Sequence, residues 1–308
     1  MSAAIFVAGS LNADLMVRVE RLPAAGMTVS ATDVRRFCGG KGANQAVAAA
    51  KLGGRVRMIG RVGDDAAGGD LVESLSAAGV DVMHVSRTPS VVTGVAFVMV
   101  QQDGQNQIVV ASGANERLRA ADVEAGLADA RAGDLLLLQL ESPVDVVETA
   151  ARLARRRGLT VILDPAPARP LSPELLESVH VLTPNESEAL TLLGRVDADV
   201  SEEHAGEVAG AVRTLGADTA ILKLGARGAI LSDARGIRAF AAPTVQAIDT
   251  TAAGDTFNGA LAVILAEGQP FETALAFANL AASLSVTRAG AQASMPRRAE
   301  VEEFRRQL

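Results

Sequence analysis

The 308-residue chain has no tryptophan and no tyrosine, one cysteine (Cys38) and three histidines. A lone cysteine excludes an internal disulfide and fits a reducing compartment; beside residues 39–40 it reads as a small packed thiol. His84, His180 and His204 stand in unrelated contexts without ligand spacing, which excludes a zinc or iron centre built on imidazoles. No apolar run reaches the length of a membrane span, and residues 1–5 lack the basic start of a secretory leader. A cytoplasmic protein with no membrane partner is expected. The net charge is −7 with no basic block, so nucleic acid is not the expected partner either, since it calls for a cationic face. Repeats, low-complexity stretches and long linkers are absent.

Lysine is scarce as well. Of 29 basic residues only Lys41, Lys51 and Lys223 are lysine. In a chain this biased to arginine, a retained lysine suggests a place where a compact point charge serves better than a planar fork. Lys41 and Lys223 both stand in glycine-bearing stretches.

A hydrophobic content of 49% with 21% charged residues suits a globular protein of a size that buries a full core. Apolar runs at residues 5–8, 135–138, 161–163 and 221–224 read as strands buried on both faces, with helical patterns between them. Ser142-Pro143 is a good helix opening, Ser at the N-cap and Pro in the first turn, and residues 155–158 close that helix. Alternating βα units predict a doubly wound, mainly parallel sheet with helices on both faces, and ligands beyond the carboxyl ends of the strands. Two stretches break the rhythm: residues 14–19 with 28–31, and residues 92–100 with 107–110. They are β-rich without intervening helices, and residues 102–106 form the turn of a hairpin. A small separate sheet is predicted, the alternative being extra edge strands of the main sheet.

The most informative segment is Asp249-Thr250-Thr251-Ala252-Ala253-Gly254-Asp255-Thr256-Phe257-Asn258-Gly259, directly before a helical pattern. Small residues let several backbone N–H groups approach one anion, and a helix N-terminus adds positive potential. A carboxylate there is out of place in a simple phosphate site. It makes sense where a hydroxyl must give up its proton while a phosphoryl group arrives beside it. The plainer alternative is that Asp255 caps the helix. Upstream, Gly39-Gly40-Lys41-Gly42-Ala43-Asn44-Gln45 leads into an alanine-rich helix ended by Gly53-Gly54. Its glycine spacing fits neither the Walker A loop nor the dinucleotide fingerprint. Alone it would be a flexible loop before a packed helix.

Together the two segments resemble the paired signatures of the ribokinase (PfkB-type) carbohydrate kinase family. Gly9-Ser10-Leu11-Asn12-Ala13-Asp14 is similar to that family's first sugar-contacting turn. Residues 138–143, 164–169, 183–188 and 287–292, and the Ala252-Ala253-Gly254-Asp255 form, resemble its ribokinase branch. The resemblance runs almost end to end.

It implies a single domain, 1–308, whose small sheet, from about 14–36 and 90–111, is a lid over the sugar and the contact of a homodimer. It implies an ATP-dependent kinase that phosphorylates D-ribose at the 5-hydroxyl, with ATP, Mg2+ and a monovalent cation, K+ foremost, as cofactors. Asp255 takes the proton and Ala252, Ala253 and Gly254 hold the transferring phosphoryl group. Asn12, Asp14, Gly40, Lys41, Asn44 and Glu141 match the sugar contacts; read alone, Glu141 is a strand-end surface charge and Asp14 a turn residue. Asn185 and Glu188 match an element that assists magnesium and phosphate binding. Lys223, Gly225, Arg227 and Gly228 match the nucleotide loop, and Asn279 stands where the ribokinase branch commonly carries histidine near adenine. Asp249, backbone groups of Thr251, Ser285, Arg288 and Gly290, and the Ser294 hydroxyl match a monovalent-cation site. Adenosine or deoxyribose kinases of the same family are close alternatives, Phe37 and Phe97 being candidates to stack on a base. A sugar-binding regulator without turnover and a nicotinamide-dependent oxidoreductase are more distant ones.

Overall fold

The computed structural model describes residues 2–101, 106–195 and 199–308. Of the proposed hairpin turn at residues 102–106, residues 102–105 lie outside them. In chain order the strands are β1 Ala4–Ala8, β2 Asn12–Val19, β3 Ala31–Gly39, β4 Arg55–Gly63, β5 Asp81–Thr88, β6 Gly94–Gln101, β7 Asn106–Ala111, β8 Leu135–Leu138, β9 Thr160–Leu163, β10 Val181–Leu182, β11 Thr219–Lys223, β12 Ala229–Asp233 and β13 Gly236–Phe240. The helices are α1 Lys41–Lys51, α2 Ala66–Ala77, α3 Ala120–Gly126, α4 Val144–Arg156, α5 Pro173–Glu177, α6 Glu186–Leu192, α7 Ala205–Arg213, α8 Ala253–Ala266, α9 Phe271–Ser285 and α10 Arg298–Gln307.

Nine strands form one sheet in the order β13-β12-β11-β10-β9-β8-β1-β4-β5, parallel except where β12 and β13 close one edge. The four leucines of β8 are all buried, as a strand covered on both faces requires. Alternation then divides the core. Ile5, Val7, Leu135 and Leu137 pack with α1, α8 and α9, while Phe6, Leu136 and Leu138 pack with α4 and α7 on the other face. This is the doubly wound α/β architecture expected. Among the described residues no helix is long and apolar enough to cross a membrane.

Strand order reverses at β1, which pairs β4 on one side and β8 on the other. The crevice beyond the carboxyl ends of β1 and β8 is therefore the natural ligand site. Two insertions rise there and pair into a separate sheet, β3-β2-β6-β7. It is mixed: β2 runs antiparallel to β3 and parallel to β6, and β6 runs antiparallel to β7.

Local boundaries depart from the sequence reading in three places. Thr28–Ser30 carry no strand; the partner of β2 is Ala31–Gly39, which runs straight into the glycine pair. The stretch before α1 is consequently no loop: β3 ends at Gly39 and α1 starts at Lys41, with Gly40 alone making the corner at φ 89°. A side chain at Gly40 would stand 2.7–2.9 Å from backbone atoms of Ser10, Leu11 and Asn12, so only glycine lets α1 press against the β1–β2 turn. Finally, α4 is capped by Pro143, not Ser142, whose buried hydroxyl has no partner among the described residues.

Candidate active site

The crevice is built on four backbone junctions. At the first, the β1–β2 turn and the start of α1 converge on Glu141, just after β8. Its Oε2 accepts from Ser10 Oγ at 2.5 Å, from the Lys41 backbone N–H at 3.1 Å and from Asn12 Nδ2 at 3.5 Å. Asn12 is oriented from behind: Asn115 Nδ2 donates to Asn12 Oδ1 at 2.7 Å while Asn115 also bonds both backbone groups of Leu11. An amide whose oxygen is thus occupied presents its NH2 to the crevice. Asn12, Asp14, Gly40, Lys41, Asn44, Glu141 and Asp255 all line one cleft of about 550 Å³, roofed by the small sheet. The structure brings the sequence-predicted sugar contacts together.

At the second junction α8 begins. Ala252, in the left-handed region at φ 59°, is its N-cap, so Asp255 does not cap the helix. A Cβ in that conformation costs roughly 1–2 kcal/mol, a strain that a tightly packed site holds in place. The Ala253 amide donates to Thr250 O at 3.2 Å, while the first-turn amides as a class lack acceptors within the helix. Asp255 follows in the first turn and is only 6% exposed. Its Oδ2 accepts from Asn44 Nδ2 at 3.0 Å and its Oδ1 from Gln45 Nε2 at 3.1 Å. Burial pushes its pKa up to about 6; Lys41 draws it down and Asp164 pushes it up.

The third junction lies across α8's N-terminus. Asn185 caps α6: its side chain accepts from the Glu188 N–H at 2.8 Å, and Glu188 Oε2 accepts from the Asn185 N–H at 2.7 Å. Burial raises Glu188, with Lys223 opposing and Asp164 reinforcing. Lys223, at the end of β11, donates to Asp164 Oδ1 at 2.8 Å. Lys41, Asp164, Asn185, Glu188, Lys223 and Gly254 share a second cleft of about 550 Å³ that meets the first at Asp255. Burial works against a charged Lys41, but Asp255, Asp164, Glu141 and Glu188 outweigh it and raise its pKa.

Beyond Lys223 and Gly225 lies a cavity of about 270 Å³ lined by Pro243, Val245, Phe257 and Asn279. Asn279 Nδ2 donates to Phe240 O at 2.9 Å and Ala241 O at 3.3 Å, so it pins the cavity's rim. Gly228 turns the loop at φ 93°. Arg227 is drawn off to Glu186 and Val200 O and lines neither cavity.

The fourth junction joins residues 248–251 to the end of α9. Asp249 accepts from the Thr251 N–H at 2.9 Å and the Gly290 N–H at 2.8 Å. Burial would raise Asp249, but the Thr251 side chain, with the Gly290 and Thr251 N–H groups, outweighs it and holds the carboxyl below its ordinary range. The Ser285 and Ser294 hydroxyls turn back onto Ala282 O and Ala291 O, each at 2.8 Å, and the Arg288 guanidinium pairs with Glu300 at 2.7 Å.

Sequence reasoning missed Asp164, Gln45, Gln139 and Asn115 as site residues. A signal existed for Asp164 and Gln139, polar residues directly after the apolar runs of β9 and β8. Of the two phenylalanines considered for stacking, Phe37 lines the first cleft, while Phe97 lies opposite Leu15 on the other face of the small sheet.

A doubly wound sheet, a lidded polar cleft and a buried carboxylate at a helix start beside an anion cradle define a phosphotransferase acting on a hydroxyl. The chain belongs to the pfkB family of carbohydrate kinases, whose sequence profile matches residues 2–298. It is similar to a ribokinase of Haemophilus influenzae, 42% identical over 304 residues and 99% of each chain. The solved Arabidopsis thaliana ribokinase, complexed with ribose and ATP, has the same fold at a TM-score of 0.89, with 38% identity and 99% of each chain covered. A deoxyribokinase of Salmonella typhi is 34% identical over 305 residues, 99% of this chain and 98% of the relative.

Proposed function

We propose that this protein transfers the γ-phosphoryl group of ATP to the 5-hydroxyl of D-ribose. The observation that carries the reading is the place of Asp255, a buried carboxylate where the sugar-sized cleft meets the cleft at the N-terminus of α8. Asn12, Asp14, Lys41, Asn44 and Glu141 hold the sugar hydroxyls, and acceptors outnumber cations among them, as a neutral polyol requires. The ribose 5-oxygen attacks the γ-phosphorus while its proton passes to Asp255. The bond to the β,γ-bridging oxygen breaks and ADP departs. In a loose transition state, alignment contributes more than proton removal. The first-turn amides of α8 receive the phosphoryl oxygens, with Lys41 and Lys223 flanking them.

Mg2+ fits beside Asn185 and Glu188, hard oxygen donors on the phosphate cleft, and there it would neutralise charge on the polyphosphate. Adenine fits the apolar cavity behind Gly225 and Asn279. An assay of ADP release that offers ribose, 2-deoxyribose and adenosine in competition tests the whole reading, and a preference for adenosine would overturn the choice of sugar.

A monovalent cation belongs at Asp249, with backbone oxygens of Thr251, Ser285, Arg288 and Gly290 and the Ser294 hydroxyl. An ionised carboxylate among oxygen donors suits a hard ion, and such an ion would stiffen the segment leading to Ala252. Replacing a bulky organic cation by potassium at constant ionic strength should raise turnover several-fold, and Asp249→Ala should blunt the response. A wild-type rate indifferent to the swap would remove the site from this account.

The small sheet is also where a second copy docks. One of its faces roofs the sugar; the other exposes Val34, Phe97 and Val109 at 62%, 45% and 59%. An apolar face of that kind on an open sheet marks an interface. Light scattering should give twice the chain mass for the wild type and a single chain for a Phe97→Asp, Val109→Asp double variant. A monomeric wild type would refute the dimer.

A further inference from the structure

Asp255 is held on one side by a residue with no part in the scheme so far. Gln45 is completely buried and donates both hydrogens of its amide, one to Asp255 Oδ1 at 3.1 Å and one to Asp164 Oδ2 at 3.0 Å. Carboxylates only accept, so the amide cannot turn over without setting its oxygen between two anions. Its own Oε1 accepts from Gln139 Nε2 at 2.7 Å, and Gln139 is itself fully buried, its Oε1 without a partner among the described residues. On the far side, Asp164 is closed by Lys223 at 2.8 Å.

We propose that Gln45 is a positioning residue, which fixes the plane of the Asp255 carboxylate and links it to the Asp164–Lys223 ion pair on the nucleotide side. The proposal rests on Asp255 being the proton acceptor. Asn44 holds one oxygen of that carboxylate and Gln45 the other. Each oxygen keeps a free lone pair for the incoming hydroxyl, and neither can rotate away. Asn44 also lines the sugar cleft, whereas Gln45 lines neither cleft, so its effect reaches the substrates only through Asp255 and Asp164.

The charges surrounding Asp255 come from every neighbouring element: Lys41 on α1, Asp14 on β2, Glu141 after β8, Asp164 after β9, Glu188 on α6 and Lys223 on β11. Burial, then Lys41 and Asp164, dominate its titration, and the Asn44 and Gln45 bonds favour the ionised form. The two ends of the link therefore act in opposite senses. Losing the Gln45 bond raises the Asp255 pKa, whereas removing the Asp164 charge lowers it.

The test is the pH dependence of kcat for ribose at saturating MgATP, in the wild type, Gln45→Met and Asp164→Asn, with a melting curve for each. Using kcat keeps the titration of Asp14 in the free sugar site out of the comparison. Gln45→Met should lose about tenfold in kcat at neutral pH and move its acid limb up by about one unit, the size of one lost charge-assisted bond. Asp164→Asn should move the limb below the wild-type position. A folded Gln45→Met whose limb coincides with the wild type overturns the proposal, as does a common direction of shift in both variants. Should Gln45→Met fail to fold, Asp164→Asn alone decides, and a limb at or above the wild-type position refutes the link. A wild type with no acid limb would instead remove Asp255 as the acceptor, and this inference with it.

Discussion

Asp255→Asn is expected to lower kcat by about 10²–10⁴, the usual cost of losing a general base, while ribose affinity stays within a few-fold. The asparagine keeps the shape but can accept from only one of its two amide neighbours. Gln45 cannot turn, because Asp164 holds it, so the new carbonyl faces Gln45 and the new NH2 faces Asn44. Asn44 must then rotate and give up Gln292, whose Nε2 bonds Asn44 Oδ1 at 3.2 Å. That rearrangement lies at the rim of the sugar cleft, which is why a modest change in affinity accompanies the large change in rate. In the wild type, kcat should fall as pH drops through about 6, where Asp255 takes up a proton, and the residual rate of the asparagine variant should lack that dependence. Calorimetry for binding and coupled turnover for rate separate the two effects, and near-wild-type turnover in the variant would end Asp255's role.

Ribose should exceed 2-deoxyribose in kcat/KM by at least tenfold. A hydroxyl missing from a site built around it leaves a buried polar group unpaired, at about 1–3 kcal/mol, and such sites discriminate by up to about 10⁴–10⁵. Asp14 sharpens the expectation. Burial, with Glu141 and Asp255 as like charges, pushes its pKa up to about 7 against the pull of Lys41. Only the ionised form accepts hydroxyls on both oxygens. The kcat/KM for ribose should therefore climb as pH rises through about 7, more steeply than kcat does. Adenosine should be poor, because the small sheet roofs the same cleft. Equal use of ribose and 2-deoxyribose would show that Asn12 and Asp14 do not read the hydroxyls, and would move the chain toward its deoxyribokinase relatives.

The sequence exposed most where local chemistry is unusual. The two glycine-bearing segments, the scarcity of lysine and the carboxylate at a helix start located both ends of the cleft, and short apolar runs marked the central strands. What stayed hidden depends on long-range packing. Gln45 stands inside the motif that was read, yet its partners Asp164 and Asp255 come from elements far along the chain. Asn115 follows the small sheet and reaches back to Asn12, a contact no local pattern encodes. Phe97 was misjudged because face parity depends on register, and register follows from the pairing of β6 with β2. The expected Ser142 cap lost to Pro143, whose fixed φ already serves the helix start. Arg227 was drawn away from the nucleotide loop by Glu186, an ion pair across two separate turns.

The parallel pairing of β2 with β6, Asn12 opposite Gly94, has a consequence for how the chain folds. Between those strands lie β3, α1, β4, α2 and β5, so the loop they close is long and its entropy is recovered only once those elements have condensed. Topology thus favours a roof that assembles late, on a body already condensed. Cooperative units attached in this way exchange their amide hydrogens with solvent at lower free energy than the core that carries them. The strands of the roof should therefore exchange ahead of α1 and α8, which amide hydrogen exchange would measure.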